Sequence, residues 1–136
     1  MDYTVFISHS GEDTWVARQL SSCFEEAKAK TFLDESNIAI GAKFEDEILE
    51  ALRKADELVV LITPWALGRP YVWLEIGAAW FKNIPIIILL LGVTPAEFTQ
   101  KANIPVDLKE RNLISLNEVD RYIKELSERV AQKASK

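Results

Sequence analysis

Apolar positions along the chain alternate between short unbroken runs and stripes at helical spacing. Leu58 to Ile62 and Ile86 to Leu91 are unbroken runs, Tyr3 to Ile7 ends in the continuous apolar Val5, Phe6 and Ile7, and each predicts a strand. Runs of Val, Ile and Leu without polar interruption belong to strands covered on both faces, as in a parallel sheet. Thr31 to Leu33 and Asn112 to Ser115 predict two shorter strands. Between these runs, Val16, Leu20, Cys23, Phe24 and Ala27 share one face of a helix. Phe44, Ile48, Leu49, Leu52 and Ala55 mark a second helix, and Val119, Tyr122, Ile123, Leu126 and Val130 a last one. Pro70 suits the first turn of a further helix carrying Tyr71 to Phe81. Gly92 and Pro95 are read as closing the strand before them, and residues 131–136 as a frayed tail. This alternation predicts one α/β domain over residues 1–136, a parallel sheet with helices on both faces.

In such a sheet ligands bind at the carboxyl ends of the strands. Here that edge would be built from Ser8 to Asp13, Asp34 to Lys43 and Thr63 to Glu75. SHSGED is a polar turn whose Ser, Glu and Asp can cap a helix start. Asp34 to Lys43 is longer than the usual 2–6-residue connection, and long loops are disproportionately functional.

Composition narrows the chemistry. The net charge of −5 and scattered basic residues argue against nucleic acid, which calls for a basic patch. One cysteine precludes an internal disulfide and fits a reducing, cytoplasmic setting. With one histidine and one cysteine there is no structural zinc site of the usual kind, and no metal is expected. The five glycines stand too far apart for a dinucleotide fingerprint or a phosphate-binding loop. Ile84 to Leu91 is far short of the roughly 20 residues that span a bilayer, and the start MDYTVFISHS lacks a secretory pattern. No membrane contact is expected.

Glu75 stands out. It is the single charged residue in YVWLEIGAAWF, the stretch from Tyr71 to Phe81. Apolar surroundings favour the neutral carboxyl, whereas the start of a helix favours the anion, and the two effects oppose each other. A surface carboxylate placed where helices accept negative charge is the plain reading; a desolvated functional acid is the other. His9 reads as a loop hydrogen-bonder, and Trp73 and Trp80 as packing. Arg69 and Lys43 are either phosphate-attracting cations or solvated charges.

Over nearly the whole chain, and in order, the motifs resemble the Toll/interleukin-1 receptor (TIR) family. VFISHSGED resembles the family's opening. FLDESNIAIGAKFEDEILEALRKADELVVLIT resembles its second strand, the mobile loop before the second helix, that helix and the third strand. WALGRPYVWLEIGAAW resembles the segment that carries a catalytic glutamate in some members. The resemblance implies a flavodoxin-like sheet of about five parallel strands. It places Glu75 on the catalytic glutamate of members that cleave NAD⁺ at the nicotinamide–ribose bond. Ser8 and His9 fall on pocket-lining positions, Phe44 on an aromatic that closes over the pocket, and Tyr71 on a helix-start aromatic near it. The family often has cysteine or another small residue three before the glutamate, where this chain has Val72; the SHS opening and GAAW look more bacterial.

NAD⁺ would be substrate rather than cofactor. Its nicotinamide is already cationic and departs neutral, so one carboxylate suffices where ordinary glycosidases need two. Other TIR domains are the implied partners, engaged through Ile38, Ile40 and Gly41 of the mobile loop, with a sensor domain or protein as a further one. Some members instead pass signals as non-catalytic adaptors, and a deoxyribosyltransferase-like enzyme is a third possibility.

Overall fold

Leu58, Val60 and Ile62 face one side of a strand, and Val59 and Leu61 the other, because side chains alternate along extended backbone. All five are fully buried, so both sides of this strand are covered. The computed structural model describes residues 2–33, 44–101 and 113–135. Within them the strands are β1 (Thr4–Ser8), β2 (Lys30–Leu33), β3 (Glu57–Ile62), β4 (Ile86–Leu90) and β5 (Leu113–Ser115). They form one five-stranded sheet, every pairing parallel, in the order β2-β1-β3-β4-β5.

The helices are α1 (Thr14–Glu26), α2 (Phe44–Lys54), α3 (Pro70–Lys82), α4 (Pro95–Lys101) and α5 (Val119–Ala134). On one face Ile48 and Leu52 of α2, Val72 and Ile76 of α3 and Phe98 of α4 pack against Leu58, Val60 and Ile88. On the other, Leu20 and Phe24 of α1 and Tyr122 and Leu126 of α5 pack against Val59, Leu61 and Leu89. The chain moves one way from β1 to β2 and the other way from β3 onward. The β1 and β3 loops therefore diverge and leave a crevice at the carboxyl edge.

Helix α4 departs from the expectation that Pro95 merely closes a strand. Its start is a capping box: Thr94 Oγ1 accepts from the Glu97 amide at 3.1 Å, and the Thr94 amide donates to Glu97 Oε1 at 3.2 Å. At the other end of the chain α5 runs on to Ala134. Lys133 Nζ holds that turn, donating to the Asp56 carboxylate at 2.9 and 3.0 Å and to the Asp2 carbonyl at 2.7 Å. Cys23, placed on the apolar stripe of α1 by its spacing, is exposed.

At the amino edge of the sheet Glu57 is fully buried. It accepts hydrogen bonds from the Tyr3 and Tyr122 hydroxyls and from Arg129 Nε and Nη2 at 2.8 and 3.2 Å. Burial, reinforced by the Glu57 carboxylate, pushes both tyrosine hydroxyls well above their ordinary range. Burial alone would lower the Arg129 guanidinium, but the hydrogen bonds and charge of Glu57 outweigh it and raise it.

The native chain thus keeps tyrosine protons that the unfolded chain releases around the ordinary value of 10.0. Stability from this source is complete below that pH and is lost as pH rises through and beyond it. The urea midpoint is expected to hold from about pH 8 to 9.5 and to fall by about pH 11. The double variant Tyr3→Phe/Tyr122→Phe should flatten that fall; an equally steep one would dissociate it from these hydroxyls.

Candidate active site

Helix α3 is apolar nearly all round, and its inward stripe is Val72, Ile76 and Ala79, at most 1 % exposed. Glu75 falls beside that stripe, three residues after Val72, and is 3 % exposed, whereas its neighbour Leu74 is 69 % exposed. The helix buries its carboxylate and shows its leucine to solvent. Burying a carboxylate costs several kcal/mol, of order that for any ion taken out of water, unless hydrogen bonds offset it. Ser8, the last residue of β1, supplies one: its Oγ donates to Glu75 Oε1 at 2.6 Å. The plain reading of Glu75 as a surface carboxylate is thereby set aside.

The residues after β1 are buried as well. Ser8 and Ser10 are fully buried and His9 is 2 % exposed, with its Nδ1 donating to the Ser10 carbonyl at 2.8 Å. None of the acidic or hydroxyl side chains of SHSGED anticipated as caps bonds a helix-start amide. Glu12 reaches across the crevice to Arg69 Nη2 at 3.0 and 3.1 Å. Asp13 turns inward, where its Oδ2 accepts from Ser10 Oγ at 2.6 Å and from Thr63 Oγ1 at 2.5 Å. Thr63 follows β3, and its Oγ1 also accepts from the Ala66 amide at 3.2 Å. Asp13, Ser10 and Thr63 are thus linked across the candidate site, a connection that the sequence reading did not give them.

The remaining candidates are distributed as follows. Phe44 opens α2 and Tyr71 stands second in α3, on the helix that carries Glu75. Arg69, immediately before α3, is half-exposed and paired with Glu12, so a phosphate there would compete with a carboxylate. Trp73 packs on Phe98 with ring centroids 5.4 Å apart, and Trp80 is exposed rather than packed. Lys43, Ile38, Ile40 and Gly41 lie outside the described residues. Among the described residues no cluster of His, Cys, Asp and Glu could hold a metal, and no helix is long and apolar enough to cross a membrane. An open cleft of about 490 Å³ lies at the opposite edge, lined by Asn83, Ile84, Pro85, Ile114, Tyr122 and Arg129 among others. The polar groups of Tyr122 and Arg129 there are committed to Glu57.

A family model described as TIR domain matches residues 5–128. The chain belongs to the TIR family. Among proteins of similar sequence is the probable 2' cyclic ADP-D-ribose synthase BdTIR of Brachypodium distachyon, 29 % identical over 97 residues. That match takes in 70 % of this TIR chain and 43 % of the plant protein, so it covers less than half of the relative's length. Two TIR structures share the fold. The TIR domains of the activated Roq1 resistosome, which recognises the effector XopQ, align with TM-score 0.58 and 19 % identity, over 93 % of this chain and 82 % of theirs. The TIR domain of the Toll-related receptor TRR-2 from Hydra magnipapillata gives 0.51 and 18 %, over 96 % and 95 %. The sugar isomerase domain of an RpiR transcription factor from Sphaerobacter thermophilus gives 0.55 at 14 % identity, over 98 % and 74 %. A fold shared this widely leaves the chemistry to be argued from side chains.

Proposed function

We propose that this TIR domain cleaves NAD⁺ at the nicotinamide–ribose bond, with Glu75 as the catalytic residue. The observation that carries the reading is the inversion on α3: a carboxylate beside the buried stripe, held by Ser8, next to an exposed leucine. A buried acid at the carboxyl edge of a parallel sheet, beside the point where strand order reverses, lies where such folds bind ligands.

In the reaction the bond between ribose C1' and the nicotinamide nitrogen breaks, and its electron pair leaves with neutral nicotinamide. Positive charge then develops on the ribose ring. A fixed anion in a dry site stabilises that charge without reorganising, which is often the largest contribution to catalysis. Glu75 supplies the anion, and Ser8 fixes the direction in which it points. Water adding at C1' gives ADP-ribose and releases a proton; an internal hydroxyl adding instead gives a cyclic isomer. The name of the Brachypodium relative, a cyclic ADP-ribose synthase, favours examining the second product.

Activity is proposed to depend on assembly with other TIR domains, and the biological setting to be bacterial antiphage defence through loss of NAD⁺. The likeness to TIR domains of a resistosome supports assembly, and the SHS opening and GAAW support the setting. The alternative, a non-catalytic adaptor acting through TIR–TIR contact, draws on the exposed Leu74 and Phe81 of α3. NAD⁺ loss should be followed over a wide range of protein concentration, with products separated by chromatography. Nicotinamide release, with specific activity that rises with concentration before levelling off, is the expected result. Strict proportionality would count against assembly, and no release at any concentration would favour the adaptor.

A further inference from the structure

Glu12 and Asp13 are consecutive, yet they reach across the crevice in different ways. Glu12 pairs with Arg69 where both side chains are nearly half exposed, and such pairs contribute little. Asp13 is 4 % exposed, and a single oxygen of its carboxylate takes a hydroxyl from each side of the crevice. Ser10 belongs to the loop that leaves β1, two residues after Ser8. Thr63 belongs to the loop that leaves β3, and its hydroxyl also receives the Ala66 amide that begins the turn leading into α3. From Asp13 one branch runs through Ser10 and Ser8 to Glu75. The other runs through Thr63, Ala66 and the start of α3 to Glu75 again. The two branches close a ring around the point where strand order reverses.

We propose that Asp13 is a positioning residue, setting the distance between Ser8 and Glu75 by tying the β1 loop to the β3 loop. This rests on the reading of Glu75 as the catalytic carboxylate. Without the tie the β1–β3 ladder still ends at Ser8 and Val60, but beyond it the two loops are joined near the crevice by the exposed Glu12–Arg69 pair. The Ser8 hydroxyl and the Glu75 carboxylate can then drift relative to each other. Misplacement of a catalytic group by about 1 Å can cost on the order of a hundredfold in rate. A fault of placement slows the chemical step more than it weakens substrate binding.

The test compares Asp13→Ala, Thr63→Val, their combination and Asp13→Asn. All are measured at a protein concentration where wild-type specific activity has levelled off, and well below each variant's melting temperature. Asp13→Ala and Thr63→Val are each expected to lower kcat at least about tenfold, with KM for NAD⁺ within about twofold of wild type. The combined variant should be no worse than Asp13→Ala, because both remove one connection. Asp13→Asn keeps an oxygen able to accept both hydroxyls and should return kcat to within about threefold of wild type. Hydrogen exchange provides a second readout: removing the Thr63 hydroxyl should speed exchange at the amides of residues 8–10, across the crevice.

Wild-type kcat in folded Asp13→Ala and Thr63→Val, with exchange unchanged, would overturn the tie and leave the reading of Glu75 intact. An Asp13→Asn variant as slow as Asp13→Ala would also overturn it, showing that the charge of Asp13 matters rather than its reach. Wild type inactive at every concentration would remove the catalytic reading and the positioning role together.

Discussion

Glu75→Gln is expected to end NAD⁺ cleavage while leaving the TIR domain folded. Glutamine has nearly the same shape, and its amide oxygen still accepts the hydrogen bond that Ser8 Oγ makes to Glu75 Oε1. What disappears is the charge. In the ground state that loss matters little, and removing a buried anion can even favour folding. In the transition state the ribose carries positive charge in a site where Coulomb interactions are strong, and a neutral amide does not replace a carboxylate. The expected fall in kcat is at least about a hundredfold, comparable to removing a preorganised group in other enzymes. The melting temperature should stay at or above that of wild type. Glu75→Ala should be as inactive, though less stable because it leaves a void. Near-normal nicotinamide release by folded Glu75→Gln would remove Glu75 from the chemistry, wherever the activity then came from.

The largest expected loss of stability lies at the other end of the sheet. Glu57→Gln removes the charge that meets Arg129 and weakens the bonds from Tyr3 and Tyr122, all at a fully buried position. Breaking a buried pair by taking away one partner costs about 3–5 kcal/mol, and with the Arg129 side chain 28 % exposed the lower end of that range is expected here. For a domain of this size that lowers the melting temperature by roughly 10 °C. Arg129→Met in the same chain should recover part of the loss, since neither charge then remains. A calorimetric shift under about 3 °C for Glu57→Gln would show that Arg129 simply turns to water. Below both transitions kcat should be unaffected, because this network stands a strand's length away from Ser8 and Glu75.

How much of this was legible in the sequence depended on whether a signal was local. β3 and β4 announced themselves as apolar runs, because a parallel strand buried on both faces exposes little to water and both are buried throughout, whereas β2 and β5, less buried, were read from shorter stretches. Helix α4 was legible but unread: Thr94-Pro95-Ala96-Glu97 holds both a capping box and a proline at the first helical position. Glu75 was visible as one charge in an apolar helix, and its partner Ser8 as the start of a segment on the carboxyl edge, but the pairing of the two was not. Thr63 and Asp13 are 50 residues apart and meet because β1 and β3 are neighbours in the sheet. No periodicity encodes that meeting. Glu57 was hidden for a similar reason: a charge at the start of a strand looks solvated until Arg129, 72 residues later, is brought over it.

The contact between Lys133 and the Asp2 carbonyl brings the first described residues and the last turn of α5 side by side. Both emerge at the amino edge of the sheet, with Glu57, while Ser8 and Glu75 occupy the carboxyl edge. A fluorescent reporter or an oligomer-forming tag joined at either end is therefore carried on the side away from the crevice. The same closeness makes the domain suited to circular permutation: a short Gly/Ser bridge could join Lys133's turn to Asp2, and new ends could be opened elsewhere without disturbing the ring around Glu75.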